Sequence, residues 1–283
     1  MNRETRARKA QETLDIFEAG FYLHDGGRID CCSRFATDFI TEAQLNTIEL
    51  TPGNLTPRYE TVNESVVDVI LRIGNCGVLN FASAKNPGGG FLNGSVAQEE
   101  CLAVSSDLFN SLLEAPQFYE ANKRSGSALY THNMIYSRDI LFIRDGSMEL
   151  LQQPVFANIL TAPAVNAGAY LKNEVGASDT VDAVMRKRIR YILRLFTLKG
   201  DREIVLGAYG CGVFKNDPQR IAGLFHSLLK GEQLERNFER IVFAVYDTRG
   251  DNTVYSRTGL HAISEKVEDM YKMVLKREVF FIK

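Results

Sequence analysis

Hydrophobic and polar positions fall into two registers along this chain. ESVVDVILRI, Glu64 to Ile73, has apolar residues at helical spacing behind a candidate cap at Asn63. GVLNFAS, Gly77 to Ser83, then reads as a short apolar strand. A helix should open within or just after SVAQEECLAVSSDLFNSLL, where Leu102, Leu108 and Leu112 lie near helical spacing. VFANILTAP, Val155 to Pro163, predicts a buried strand stopped by a proline. The longest helix is expected over SDTVDAVMRKRIRYILRLFTLKG, with Ser178 as cap and Gly200 as terminator. EIVLGAYG is a strand entering a glycine turn, DPQRIAGLFHSLLKG a helix with Pro218 in its first turn, RIVFAVYD a strand, and TGLHAISEKVEDMYKMV a closing helix. Upstream, an amphipathic helix ends at Gly20, and the rest of the first sixty residues reads as extra helices and strands wrapped on a core. Strands alternating with helices through short connections predict α/β architecture. No repeat or low-complexity linker interrupts it, so one domain is expected, with residues 1–60 an extension packed on a core of 61–283.

Composition narrows the function classes. The 283 residues are 45% apolar and 24% charged, which suits a globular chain with a substantial core and excludes fibrous or disordered classes. A net charge of −2 does not favour a long electrostatic track for a polyanion, so an anionic ligand must be held locally. RETRARK, Arg3 to Lys9, is a basic cluster, and it reads as a solvated helix face rather than a nucleic-acid patch. The five cysteines form no C-x-x-C pair and the four histidines no ligand spacing, so neither a metal nor a disulfide framework is expected. The N-terminus lacks an apolar leader and no 18-residue apolar run occurs, which predicts no membrane span and a cytoplasmic location, or a nuclear one in a eukaryote.

Three strand-to-loop handovers carry the candidate chemistry, because ligands of open α/β sheets bind at the carboxyl ends of strands. They are NFASAKNPGGGFLNG, TAPAVNAG and GAYGCGVFKND. Gly88, Gly89 and Gly90 remove three side chains in a row, which frees the backbone for positive φ and close approach to a phosphate or ribose oxygen. Gly210 and Gly212 repeat that logic ahead of a helix capped near Asn216 or Asp217, and Phe214 adds an aromatic face. TAPAVN is the weakest of the three, since Pro163 need only end a strand.

Glu99 and Glu100 are the sharper signal. Neighbouring helical side chains diverge by about 100°, so two adjacent carboxylates cannot share one role. One could bind a substrate hydroxyl while the other serves a glycosidic oxygen as general acid. A helix start favours the ionised form, so such an acid needs burial or nearby substrate phosphates to keep its proton.

The joint pattern of GGG, seven residues and QEE (Gly88 to Gly90, then Gln98, Glu99, Glu100), preceded by NFA and followed by GAYGCGVF, resembles the signature of poly(ADP-ribose) glycohydrolases of the compact microbial type, built on a macrodomain. QETLDIFEAGFY, TVNESVVDV, LYTHNMIYS, TAPAVNAG and VFAVYD extend the likeness over most of the chain, in family order. The resemblance implies a mixed central sheet flanked by helices. It also implies hydrolysis of ribose–ribose O-glycosidic bonds, with Glu100 protonating the leaving ribose oxygen and later activating water, and Glu99 orienting the ribose through its hydroxyls. Asn80 would bind ribose, and Gly88 to Gly90 would surround the diphosphate and distal ribose. Gln98 belongs to the binding motif, and Gly210, Gly212, Val213 and Phe214 match a second phosphate loop, with Phe214 against the terminal ribose. The implied partners are poly(ADP-ribose) and ADP-ribosylated proteins, with ADP-ribose as product. No cofactor, DNA or membrane is implied, and a monomer is expected.

Two other classes compete. A reader module would bind ADP-ribose without cutting it, but has no need of Glu100. A nucleotide-dependent oxidoreductase is suggested by the glycines of Gly88 to Gly94, yet Ala84 to Pro87 separate them from the strand and no strand-end acid stands about twenty residues on.

Overall fold

The computed structural model describes residues 1–173 and 177–246. In chain order the elements are α1 (Arg3–Ala19), the hairpin β1 (Phe21–His24) and β2 (Gly27–Asp30), β3 (Ala36–Ile40), α2 (Glu42–Asn46), β4 (Arg58–Val62), α3 (Val66–Ile73), β5 (Gly77–Phe81), α4 (Gln98–Ser105), α5 (Leu108–Leu113) and α6 (Pro116–Arg124). They continue with β6 (Met134–Arg144), β7 (Leu150–Ala162), α7 (Ala167–Asn173), α8 (Ser178–Lys199), β8 (Glu203–Gly207), α9 (Pro218–His226) and β9 (Arg240–Ala244). The expected closing helix, Thr258 to Val274, lies outside the described residues.

The chain forms two compact units. One holds Met1–Gln44, Ser65–Gly126 and Thr131–Pro163; the other holds Leu45–Glu64, Ser127–Tyr130 and the described residues from Ala164 on. The first sixty residues are therefore divided between the two.

In the first unit the strands run β3-β6-β7-β5, antiparallel except for the parallel β7–β5 pair, which makes the sheet mixed. Val78, Leu79 and Asn80 of β5 are fully buried, as expected of a strand covered on both faces. Helices α3, α4 and α5 pack on this sheet. The strand expected from Val155 begins earlier, at Leu150, because it pairs back on β6 as a long hairpin. Helix α3 is capped by Ser65, not Asn63: Ser65 Oγ accepts the N–H of Asp68 at 3.1 Å, and Asn63 lies two residues too early to reach it.

Helix α1 ends at Gly20 as expected, with a left-handed φ of 76°. It buries Ala10 against Phe91, Ala103 and Val104. Its basic cluster departs from a purely solvated face. Arg3 Nε donates to Asn93 O at 2.7 Å, Arg6 Nε to Gly94 O at 2.8 Å, and Lys9 Nζ to Met148 O at 3.0 Å.

In the second unit β8 and β4 each pair with β9, all parallel. The long helix α8 ends at Gly200 as expected, but its cap position is Ala177, which offers no side-chain bond, and Ser178 is already helical. Asp217 caps α9 by accepting the N–H groups of Gln219 and Arg220, and Pro218 fills the first turn. Phe225 of α9 meets Phe243 of β9 edge-on, with centroids 5.6 Å apart.

Candidate active site

Strand β5 and helix α4 build the site of the first unit. Asn80 sits in register with Thr161 on β7, and its Nδ2 donates to Thr161 Oγ1 at 3.1 Å and to Glu99 Oε1 at 3.3 Å. Glu99 Oε2 accepts the Ser83 N–H at 2.6 Å. Gln98 Oε1 takes the Phe81 N–H at 2.8 Å, while its Nε2 donates to Leu79 O at 2.7 Å, so the amide staples the start of α4 to the end of β5. Glu100 Oε1 accepts the Gly90 N–H at 3.0 Å.

The divergence of neighbouring helical positions separates the two carboxyls by environment. Glu99 is 3% exposed, whereas Glu100 is half-buried beside the glycine loop. Burial pushes the Glu99 carboxyl up from 4.5 to about 8, reinforced by the charge of Glu100 and opposed by the bonds from Ser83, Asn80 and Gly88. The group that burial keeps protonated is thus the first glutamate of the pair.

Gly89 shows what the bare loop is for. Its φ is +60°, and a Cβ there would stand 2.5 Å from Glu100 Oε1 and 3.3 Å from Glu99 Oε2. The missing side chain is therefore replaced by both carboxyl groups, and a left-handed backbone holds them there. Gly88 shares the positive φ; Gly90 does not, but a Cβ on it would meet Ser95 Oγ at 2.6 Å.

The second glycine loop belongs to the second unit. Gly210 has a φ of +72°, and a Cβ there would meet Ala164 Cβ at 2.4 Å and Asn216 Nδ2 at 2.7 Å. Asn216, 4% exposed, ties the loop shut by donating to Gly210 O at 2.9 Å and Val165 O at 2.7 Å. Gly212 O accepts the Lys215 N–H, Val213 points to solvent at 71% exposure, and Phe214 O takes the Gly168 N–H at 3.0 Å. The Phe214 ring lies 5.9 Å from that of Tyr130. Tyr130 has a φ of 57°, and the fully buried Arg188 donates to the carbonyls of Leu129 at 2.9 Å and Tyr130 at 3.3 Å.

Asn80, Gln98, Glu99, Glu100 and Gly88 to Gly90 thus form one group, and Gly210, Gly212, Val213 and Phe214 lie on one loop of the other unit. Sequence reasoning missed Ser83, Thr161, Tyr119, Tyr130 and Arg188. Thr161 opens TAPAVN, so its signal was present. Tyr119 is buried with no hydrogen bond to its hydroxyl, and its titration is raised by burial and then by Glu99; no spacing marks it. Among the described residues no group of three His, Cys, Asp or Glu could hold a metal ion, and no helix is long and apolar enough to cross a membrane.

The family model described as microbial-type PARG, catalytic domain, matches residues 10–145. A search of the curated proteins finds no match. Among solved structures, a poly(ADP-ribose) glycohydrolase from Thermomonospora curvata is 32% identical over 96% of this chain and 99% of its own, with a TM-score of 0.82. The same enzyme bound to the inhibitor ADP-HPD matches at 31% identity over 96% and 100%, TM-score 0.78. A poly(ADP-ribose) glycohydrolase from Deinococcus radiodurans in complex with ADP-ribose matches at 39% identity over 75% and 88%, TM-score 0.70. With the carboxylate pair and the α/β frame beneath it, identity above 30% across nearly the whole chain settles the family: this chain belongs to the microbial-type poly(ADP-ribose) glycohydrolases.

Proposed function

We propose that the chain cleaves the ribose–ribose O-glycosidic bonds of poly(ADP-ribose) and releases ADP-ribose, with Glu100 as the one residue that both gives and takes the proton. The observation that carries this reading is the split environment of the pair, Glu99 buried at 3% exposure and Glu100 half-buried at the glycine loop. Below about pH 8 the Glu99 carboxyl is neutral, so it adds no like charge beside Glu100 and keeps one O–H for a ribose hydroxyl.

In the first step Glu100 protonates the leaving ribose oxygen. The Gly90 N–H holds Oε1 at 3.0 Å, which fixes the carboxyl and leaves Oε2 to reach the substrate. Loss of the leaving group creates oxocarbenium-like charge, which the substrate's own diphosphate can stabilise. That diphosphate is held by the bare backbone of Gly88 to Gly90. Glu100, now ionised, removes a proton from water as water attacks the anomeric carbon. This departs from glycosidases whose two carboxyls face each other across the bond. Asn80 orients Glu99, and Gln98 acts by positioning, since both ends of its amide already bond the β5 backbone. Phe214 offers its ring to the terminal ribose. The reaction exchanges one C–O bond for another with acid–base assistance and no change of oxidation state, so it calls for no redox cofactor, and the same reading has the protein act as a cytoplasmic monomer on chains carried by modified proteins.

The test is Glu100→Gln, which keeps the Gly90 bond and cannot act as an acid. Hydrolysis of poly(ADP-ribose) should fall at least roughly 100-fold while calorimetric affinity for ADP-ribose is retained. Turnover near the wild-type rate would remove Glu100 from the chemistry and leave ADP-ribose binding without cleavage as the reading.

A further inference from the structure

We infer that the basic face of α1, with the cavity at its far end, forms a second diphosphate subsite for the polymer unit adjoining the one cleaved at Glu100. The inference rests on the hydrolase reading above. Arg3, Arg6 and Lys9 recur every third residue, so they form a stripe rising about 9 Å along the helix. Its beginning lies against the active-site loop. Arg3 and Arg6 bond the carbonyls of Asn93 and Gly94, three and four residues past Gly90, and the Arg6 charge reaches Cys101, the residue after Glu100.

Its end is a cavity of about 250 Å³ lined by Lys9, Glu12, His24, Arg144, Glu149 and Leu150. Arg144 is 1% exposed; its Nε donates to Thr13 Oγ1 at 2.8 Å and its Nη1 to Met148 O at 3.0 Å. The same carbonyl anchors Lys9 at 3.0 Å. One backbone oxygen, presented by a residue with a φ of +66°, therefore fixes both cations. The Nη2 of Arg144 makes no hydrogen bond: Glu12 Oε2 stands 3.0 Å away, but out of line.

The charges of this cavity differ in how firmly they are held. The side chains of Arg144 and Lys9 are 1% and 16% exposed, whereas their carboxylate partners Glu12 and Glu149 are 50% and 67% exposed. Fixed cations with loosely held counter-charges suit an incoming anion, which can displace the carboxylates and supply the aligned acceptor that Nη2 lacks. The volume admits a phosphate-sized group and is too small for a nucleoside pocket. A polymer with a diphosphate in every unit brings such a group at a fixed distance from its scissile bond. A net charge of −2 does not favour a long electrostatic track, so local capture of the next unit suits this chain.

The test compares two charge-removing variants, each made on the Glu100→Gln background so that the polymer is not consumed. Lys9→Gln keeps a donor for Met148 O but loses the cation; Glu149→Gln removes the competing carboxylate. Lys9→Gln should weaken binding of long poly(ADP-ribose) roughly tenfold and leave ADP-ribose affinity within about twofold. It should also make the salt dependence of polymer binding shallower by roughly 0.7 to 1 in log–log slope. Glu149→Gln should tighten polymer binding. A polymer affinity unchanged in both variants, or weakened in both, overturns the subsite. So does single-stranded DNA of equal charge that competes as well as the polymer. Because the readout is binding, a wild-type enzyme that fails to hydrolyse the polymer sinks the hydrolase reading without deciding this one.

Discussion

Glu99→Gln isolates what burial does to the first glutamate. In the folded protein its carboxyl is pushed up from 4.5 to about 8, chiefly by desolvation. The unfolded chain ionises at the ordinary value, so between about pH 4.5 and pH 8 the folded state holds a proton that the unfolded state has released. Stability from this group is therefore fully present below pH 4.5 and is lost as pH rises toward 8. At about 1.4 kcal/mol per tenfold change, the loss amounts to roughly 3 to 5 kcal/mol. The amide that replaces the carboxyl in this variant has no such dependence and keeps the shape. Its Oε1 can accept the Ser83 N–H, and its Nε2 can face Asn80 if that residue's amide turns its unpartnered Oδ1 inward. Urea unfolding of wild type and variant at pH 5, 6.5 and 8 reads the effect. Subtracting one curve from the other cancels the remaining titrating groups, and the variant should gain on wild type steadily as pH rises. Parallel curves across that range would refute the claim that Glu99 is held neutral by its surroundings.

Three further outcomes are expected. Gly89→Val places a Cβ 2.5 Å from Glu100 Oε1 at a φ of +60°, so thermal stabilisation by ADP-ribose should disappear; an undiminished shift would take that loop out of the ligand site. Asn216→Ala removes both side-chain bonds that close the Gly210 loop and should cost about 2 kcal/mol in urea unfolding, with weaker ADP-ribose affinity by calorimetry. Tyr119→Phe deletes a buried hydroxyl that has no hydrogen bond, so unfolding should show stability unchanged or raised by up to about 1 kcal/mol; a loss above that would mean the hydroxyl has a partner in solution.

The α/β class and the position of the QEE motif were legible because β5, β8 and α8 carry strong periodicity between glycine or proline stops. At the start of α3 two polar residues compete for the cap. Asn63 and Ser65 are both able caps, and only backbone geometry chooses Ser65. The carbonyl contacts of the basic stretch on α1 are not legible in sequence, because a helical pattern shows which residues share a face, not which carbonyls that face will meet. The roles of Glu99 and Gln98 were hidden for a related reason. Sequence spacing says that their side chains diverge, while burial and the register of β5 decide which of them is spent on backbone. Tyr130 and Arg188 lie far apart in sequence, so their clamp exists only in three dimensions.

Phe81, Ser83 and Gly90 each give a backbone N–H to one of three consecutive side chains, Gln98, Glu99 and Glu100. The motif is thus a clasp as well as the proposed catalytic pair, and the loop it closes has largely lost its freedom before any sugar arrives. Fixing a residue's backbone costs about 1 to 2 kcal/mol, so a span of this length left unfastened would spend much of the ligand's binding energy on its own ordering. It follows that truncating Glu100 to alanine does not isolate chemistry: it deletes the proposed acid and unfastens the loop together. Substrate affinity lost in an alanine variant reports the clasp, and only a side chain that still accepts the Gly90 N–H separates the two.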